Sequence, residues 1–376
     1  MNKKLTKTLL GDVCQLHRGY DLPNQNRIDG PYPVISSSGI SGMHHDYKCD
    51  GENVITGRYG TIGEVYYYNG KCWPLNTALF VSNFFDNYPK YIYYFLKCTL
   101  KVDGKDKSTV PGVDRNVLHA LKVSCFSDKD YQIEIASVLS CIDAKIDLNA
   151  QLCAELEAMA KTLYDYWFVQ FDFPDENGKP YRTSGGAMEW CQELGREVPK
   201  GWKAKRVSEL TKVITGKEDA NFSTADGEYK FFTCGQETLC CDTPAFTGKA
   251  VLIAGNGDFN VKHYTGSFNA YQRTYVLIPN EDKYYAAMFI AAKDTIQSFR
   301  QGSNGSIVKF ITKGDVENIT LLSPTNDDLL QRLNGIIEQI ELFEKENDEL
   351  IKLRDWLLPM LMNGQAYVKV GGDESV

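Results

Sequence analysis

Apolar side chains near the C-terminus recur at alternating three- and four-residue steps: Leu333, Ile336, Ile340, Phe343, Leu350, Leu357 and Leu361, with Asn347 and Arg354 interrupting the seam. This spacing lays one apolar stripe along a helix, in the manner of a coiled coil. Glu338, Glu341, Glu344, Lys345, Glu346, Asp348 and Glu349 fill the other faces, so a helix over Leu329–Leu361 is solvated on one side and needs a partner on the other. The pattern occurs once more upstream, in Ile135, Val138, Ile142, Leu152, Leu156, Met159 and Leu163. Its polar break is Asn149, 198 residues before Asn347.

The rest of the chain reads as short strands and turns. Tyr32-Pro-Val-Ile, Asn53-Val-Ile-Thr and Leu79-Phe-Val predict strands, Tyr91–Leu100 a short aromatic helix, and Val117–Ser124 a closing segment. From Gly201 the order returns at an offset near 197: Tyr229 stands for Tyr32, Val251-Leu252 for Val54-Ile55, Gly257 for Gly60 and Thr274 for Thr77. Tyr285–Ala292 stands for the short helix, and Val316, Ile319 and Leu321 for Leu118, Leu121 and Val123. Residues 172–199 are rich in Gly and Pro and read as an ordered connector.

These patterns predict an α+β fold: two mixed α/β globules separated by two long helices that form an antiparallel coiled coil within the chain, a pseudo-two-fold internal repeat. The expected limits are 1–130 and 201–325 for the globules, 131–170 and 326–365 for the helices, 171–200 for the connector and 366–376 for a tail. The seam is expected to run through Ile142, Asn149, Leu156, Ile340, Asn347 and Leu350, with the two asparagines near each other, fixing register at a cost in stability. The aromatic run Trp167, Phe168, Phe171 and Phe173 suits either an apolar platform for a partner or burial within the chain. A helix of about 38 residues would be about 57 Å long, a rigid spacer between the globules.

Charge sharpens this picture. The net charge is −8, which at first argues against nucleic acid. Residues 131–175 and 326–376 each carry −6, whereas 1–130 and 201–325 carry +3 and +1. The acid therefore sits on the helices, and the globules are free to offer a local phosphate-binding face. Eleven cysteines without a Cys-x-x-Cys pair suggest buried thiols in a reduced compartment. No signal peptide or membrane span is evident, and a cytoplasmic location is expected. His44, His45, Asp46 and Cys49 match no zinc spacing and read as a polar loop, so no metal is expected.

Two similar modules at a fixed separation suit a bipartite, periodic target, and duplex DNA is the obvious one. Candidate DNA-binding residues lie in polar, glycine-supported loops. In the first globule they are Arg18, Tyr20, Ser36, Ser37, Ser38, Arg58, Tyr59, Asn76, Thr77, Lys105, Lys107, Ser108 and Thr109. In the second they are Lys217, Thr233, Gln236, Asn256, Gln272, Arg273, Ser303, Asn304 and Ser306. Arg, Asn and Gln pair bidentately with guanine or adenine, while Ser, Thr and Lys hold phosphates. Glycine-rich polar loops occur in any fold, but their recurrence at equivalent places favours function. The reading from another class is a protein-binding scaffold whose globules take peptides or proteins.

Catalysis is not expected. An exocyclic-amine methyltransferase needs a donor pocket and an (Asn/Asp)-Pro-Pro-(Tyr/Phe) loop, and no Pro-Pro pair occurs. The set Gly57, Gly60, Gly63 is spaced wrongly for a dinucleotide fingerprint, no phosphate-binding Gly-x-x-x-x-Gly-Lys loop exists, and Pro174-Asp-Glu lacks the later Glu-x-Lys of a nuclease.

Five stretches resemble the specificity subunit of type I restriction-modification systems: Leu10-Gly-Asp-Val, Thr109-Val-Pro-Gly-Val-Asp, Tyr166-Trp-Phe-Val-Gln-Phe-Asp-Phe-Pro, the connector Gly185-Gly-Ala-Met with Glu197-Val-Pro-Lys-Gly-Trp, and Leu350–Asn363. The resemblance covers essentially the whole chain. It implies two target recognition domains, each reading half of a split site in the major groove of double-stranded DNA. It further implies two modification (methyltransferase) subunits docked on the helices, with restriction (translocase/endonuclease) subunits as further partners. No cofactor is then expected on this chain, the methyl donor belonging to the modification subunit. The second domain has Gly302-Ser-Asn-Gly-Ser-Ile where the first has Ser108-Thr-Val-Pro, so the two loops need not share a geometry.

Overall fold

The computed structural model describes residues 4–58, 63–100, 114–301 and 310–368. The chain divides into two compact units, Met1–Asp147 with Asn347–Val376, and Leu148–Glu346. The division cuts both long helices near their middles, so each unit is a globule plus half of each helix.

In the first unit the strands expected at Asn53 and Leu79 lie in a four-stranded antiparallel sheet, in the order Gln15–Arg18, Ala78–Asn83, Glu52–Gly57, Val65–Asn69. A second sheet joins Gly39–His44, Tyr32–Ser36 and Trp73–Pro74. Leu5–Leu9 pairs with Lys122–Phe126, which closes the globule by bringing its two ends together. The helix Pro89–Thr99 starts with proline at its first turn, where no intrahelical donor is needed. It buries Tyr91, Ile92, Phe95 and Leu96 against Val54, Leu79 and Val81 of the sheet and Ile135 and Leu139 of the first long helix.

The second unit repeats this order. Ile214–Thr215, Thr274–Leu277, Phe246–Ala254 and Val261–Ala270 are neighbours in the same sequence, and Lys203–Arg206 closes on Thr320–Ser323. The two differ in one respect. Here Tyr229–Phe232 adds in parallel to Val261–Ala270 and carries Leu239–Cys241 with it, making one six-stranded sheet where the first unit keeps a four-stranded and a three-stranded sheet apart. Gly19 and Gly216, 197 apart, mark the repeat. A Cβ would stand 2.1 Å from the Leu75 carbonyl oxygen at Gly19 and 1.9 Å from that of Ala270 at Gly216, so only glycine lets these backbones approach.

The long helices run Lys129–Tyr164 and Asp328–Met362, and in both units they pair antiparallel. In the first unit Arg354 meets Asp143 at 3.0 Å, and the Asn347 amide donates to the Ile146 carbonyl at 3.1 Å. In the second, the Asn149 amide donates to the Glu346 carboxylate at 2.7 Å and the Cys153 thiol faces the Ile340 carbonyl. Asn149 is buried and Asn347 half-buried, so neither seam asparagine lies on a solvent face. Ile340 is buried, and Ile142, Leu156 and Leu350 are half-buried.

Ile135, Leu333 and Ile340 of the expected seam are fully buried, but the buried face is wider than that seam. Ile337 is fully buried while Ile336 is half-buried, Leu358 outranks Leu357, and Met159 is exposed beside buried Ala160. Two helices alone cannot enclose a side chain, whereas positions facing a globule are covered from both sides. The aromatic run is a core and not a platform. Trp167, Phe168 and Phe171 are buried around Trp202, and Phe173 stacks on Trp202 with centroids 4.9 Å apart. Phe171 closes this helix in the left-handed region (φ 67°), a position glycine usually takes, and its burial offsets the strain.

Each globule grips the long helices through a tyrosine on a carboxylate. Tyr94 donates to Asp143 at 2.5 Å, and Asp143 also holds Arg354. Tyr285 donates to Glu341 at 2.5 Å, where His263 also lies at 3.2 Å. Asp143 and Glu341 are 198 residues apart, like the two seam asparagines. Burial alone would raise the Glu341 pKa, but hydrogen bonds from His263, Tyr285 and Thr265 together carry it below the ordinary carboxylate value.

A folded-state pKa below the unfolded one gives stability that is complete above the unfolded value and lost as pH falls through the folded value. The melting temperature of Glu341→Gln should therefore lie below that of the parent at pH 7, and the gap should close in acid, below about pH 4. A gap unchanged down to pH 3 would contradict this. Asp143→Ala leaves Tyr94 without its carboxylate and Arg354 with Asp355 alone, and should cost about 1–3 kcal/mol in urea unfolding.

Candidate nucleic-acid interface

Strand ends bring the candidate loops together in each unit. In the first, the Gly19 amide donates to the Ala78 carbonyl (3.0 Å), Tyr20 to Pro74 (2.8 Å), Asn76 to Tyr20 (3.1 Å), Arg58 to Thr77 (3.0 Å) and Leu75 to Ile35 (2.8 Å). Arg18, Tyr20, Arg58, Asn76 and Thr77 thus share one edge, next to the turn that carries Ser37 and Ser38. Arg18 pairs with Asp21 at 3.3 Å, and the Asn76 amide binds the same carboxylate, so Asp21 orients both. Ser36 is buried and its hydroxyl donates to the Gly39 carbonyl at 3.0 Å. It shapes the turn that presents exposed Ser38 and does not reach outward itself.

Tyr20 is exposed at its edge and stacks on Phe80, with centroids 5.8 Å apart. Lys48, exposed and overlooked in the sequence, lies 4.6 Å from the Trp73 ring centre and adds a cation beside Tyr20. His17, Tyr20, Lys48, Asp50 and Phe80 line an open cavity of about 400 Å³. His44, part of the polar loop, is a packing residue. It is buried against Trp73 and its ring nitrogen bonds the main chain of Ile28.

In the second unit the Gly216 amide donates to the Thr274 carbonyl (3.1 Å), Gln272 to Glu218 (2.8 Å) and Gly255 to Arg273 (2.8 Å). The Cys234 thiol reaches the same Arg273 carbonyl at 3.4 Å. Lys217, Thr233, Gln236, Asn256, Gln272 and Arg273 are gathered in this way. Lys217, Gln236, Gln272 and Arg273 are exposed and Asn256 and Thr233 half-buried. The Arg58–Thr77 and Gly255–Arg273 main-chain bonds stand 197 and 196 residues apart, so the two clusters are built on the same scaffold. Tyr59, Lys105, Lys107, Ser108, Thr109, Ser303, Asn304 and Ser306 lie outside the described residues.

Among the described residues no group of His, Cys, Asp and Glu is arranged to hold a metal ion, and no helix is long and apolar enough to cross a membrane. Two polar loop clusters on one repeated scaffold define an internally duplicated protein. Comparison with known proteins gives the class a family. The type I restriction modification DNA specificity domain matches twice, over residues 2–158 and 199–352. The chain therefore belongs to the family of type I restriction-modification DNA specificity subunits.

The type I restriction enzyme EcoDI specificity subunit of Escherichia coli is 37% identical over 176 residues, 45% of this chain and 39% of that protein. The MjaIX specificity subunit of Methanocaldococcus jannaschii is 24% identical over 321 residues, 74% of this chain and 69% of its own. The crystal structure of a type I restriction-modification S subunit from M. genitalium superposes with a TM-score of 0.61 at 17% identity, covering 98% of this chain and 97% of that one, which supports the fold.

Gly19→Ala and Gly216→Ala should each push a strand end off its neighbour, costing about 1–3 kcal/mol in urea unfolding. Parent-like stability in both variants would show that the two close approaches are not required.

Proposed function

We propose that this chain reads a bipartite duplex DNA site, each loop cluster contacting one half-site in the major groove, with the paired helices setting the spacer between them. The observation that carries this reading is the gathering of Arg18, Tyr20, Arg58 and Asn76 in one unit, and Lys217, Gln236, Gln272 and Arg273 in the other, on equivalent strand ends. Their side chains differ, so each cluster suits a different block of bases. The domain limits expected from sequence, 1–130 and 201–325, serve as the working boundaries of the two reading domains.

The helices are proposed to dock two modification subunits, which bring the methyl donor; restriction subunits join the same assembly. Exposed apolar residues on the helices support this: Ile133, Leu353 and Trp356 in the first unit, and Leu148, Met159 and Leu342 in the second. Isolated exposed leucines are ordinary, but Leu353 and Trp356 are adjacent on one helical face. A cytoplasmic location accords with a DNA target.

Two measurements test the proposal. Binding of the assembled complex to duplex DNA should weaken linearly in log–log form as salt rises, with sequence preference above that background. Binding indifferent to salt, with no preference among duplexes, would favour the protein-scaffold reading. Trp356→Ala should reduce recovery of a modification subunit at least tenfold while leaving the melting temperature within about 2 °C, as expected for an exposed hot spot.

A further inference from the structure

We propose that Asn260 and Lys262 are positioning residues for the second half-site: they hold the loop Thr233–Thr238 in the shape that aims Gln236 at a base edge, without touching DNA themselves. This rests on reading the second cluster as a DNA-binding surface. The loop links the strands Tyr229–Phe232 and Leu239–Cys241, and side chains just before and within the neighbouring strand Val261–Ala270 capture its carbonyls. The two amide protons of Asn260 go to the carbonyls of Cys234 (2.9 Å) and Gly235 (3.0 Å). The Lys262 ammonium donates to the carbonyls of Gly235 (3.0 Å) and Glu237 (3.4 Å) and to the Thr238 hydroxyl (3.4 Å). All five protons are thereby assigned to the loop.

The carbonyls on both sides of Gln236 are therefore pinned, and the chain on either side of its Cα is fixed. On the far side the Cys234 thiol and the Gly255 amide converge on the Arg273 carbonyl, which ties the loop to the segments carrying Asn256 and Arg273. The turn that delivers Asn260 holds Phe259 in the left-handed region (φ 47°), a conformation a bulky residue adopts only where the surroundings impose it. Lys262 is half-buried, and burial lowers its pKa. It is turned into the protein and not toward a phosphate. A bidentate amide contact discriminates between bases only if the amide is already oriented, because ordering it on binding consumes the energy that would separate right from wrong.

The test uses the full chain assembled with its modification subunits and a pool of randomised duplexes, comparing the sequence blocks enriched by parent and variants. Lys262→Met keeps the stem packed near Phe232 but removes the donors. It should lower discrimination in one block by about tenfold, leave the other block intact and leave the salt slope unchanged. Asn260→Ala should do the same if Lys262→Met does not fold, and Lys262→Arg should restore discrimination. A uniform loss on all sequences with a salt slope reduced by about one would make Lys262 a phosphate contact and overturn the proposal. So would two unchanged blocks, or two blocks weakened together with a lowered melting temperature. A parent protein that enriches no sequence would overturn the DNA reading and this inference with it, a result distinct from the others.

Discussion

A tyrosine hydroxyl on a helix carboxylate fixes each globule to the rods that carry it: Tyr94 on Asp143, and Tyr285 on Glu341. Apolar packing brings these surfaces together but is tolerant of sliding. A short, charge-assisted hydrogen bond is not. Each carboxylate has a second ligand, Arg354 in one unit and His263 in the other. Removing it would strand several groups at once, and a reading head that must meet a set place on a target needs such an inflexible joint.

The long helices were legible because their periodicity extends over about four heptads, and the repeat because Gly, Tyr and strand residues keep their spacing. Strands at Tyr32, Asn53 and Leu79 and the helices near Tyr91 and Tyr285 appear where the pattern places them. The seam positions Ile135, Leu333 and Ile340 are fully buried as the pattern implies, but the full width of the buried face was not legible. Ile337 and Leu358 are buried because a globule covers them, and sequence spacing within one helix carries no information about what lies across it. The fate of Trp167 and Phe168 depended likewise on Trp202, 35 residues onward.

The candidate site divides in the same way. Glycines marked the loops, since Gly19 and Gly216 must be glycine for strands to touch. The work done by polar side chains inside those loops was hidden. Ser36 reads as a ligand but shapes a turn, Asp21 orients Arg18 and Asn76, and Asn260 and Lys262, two polar residues near the start of a strand, prove to be loop anchors. Duplication explains the contrast. The scaffold of paired strand ends is kept in both units, while the residues it presents, and those that brace them, have diverged, as recognition of two different blocks requires.

Two reading heads on one repeated scaffold lead to one direct measurement: mapping methylated positions in a genome that carries this chain together with its modification subunit. Two short specified blocks separated by an unspecified stretch of constant length are the expected result. A single uninterrupted motif, or methylation without a shared sequence, would contradict the account.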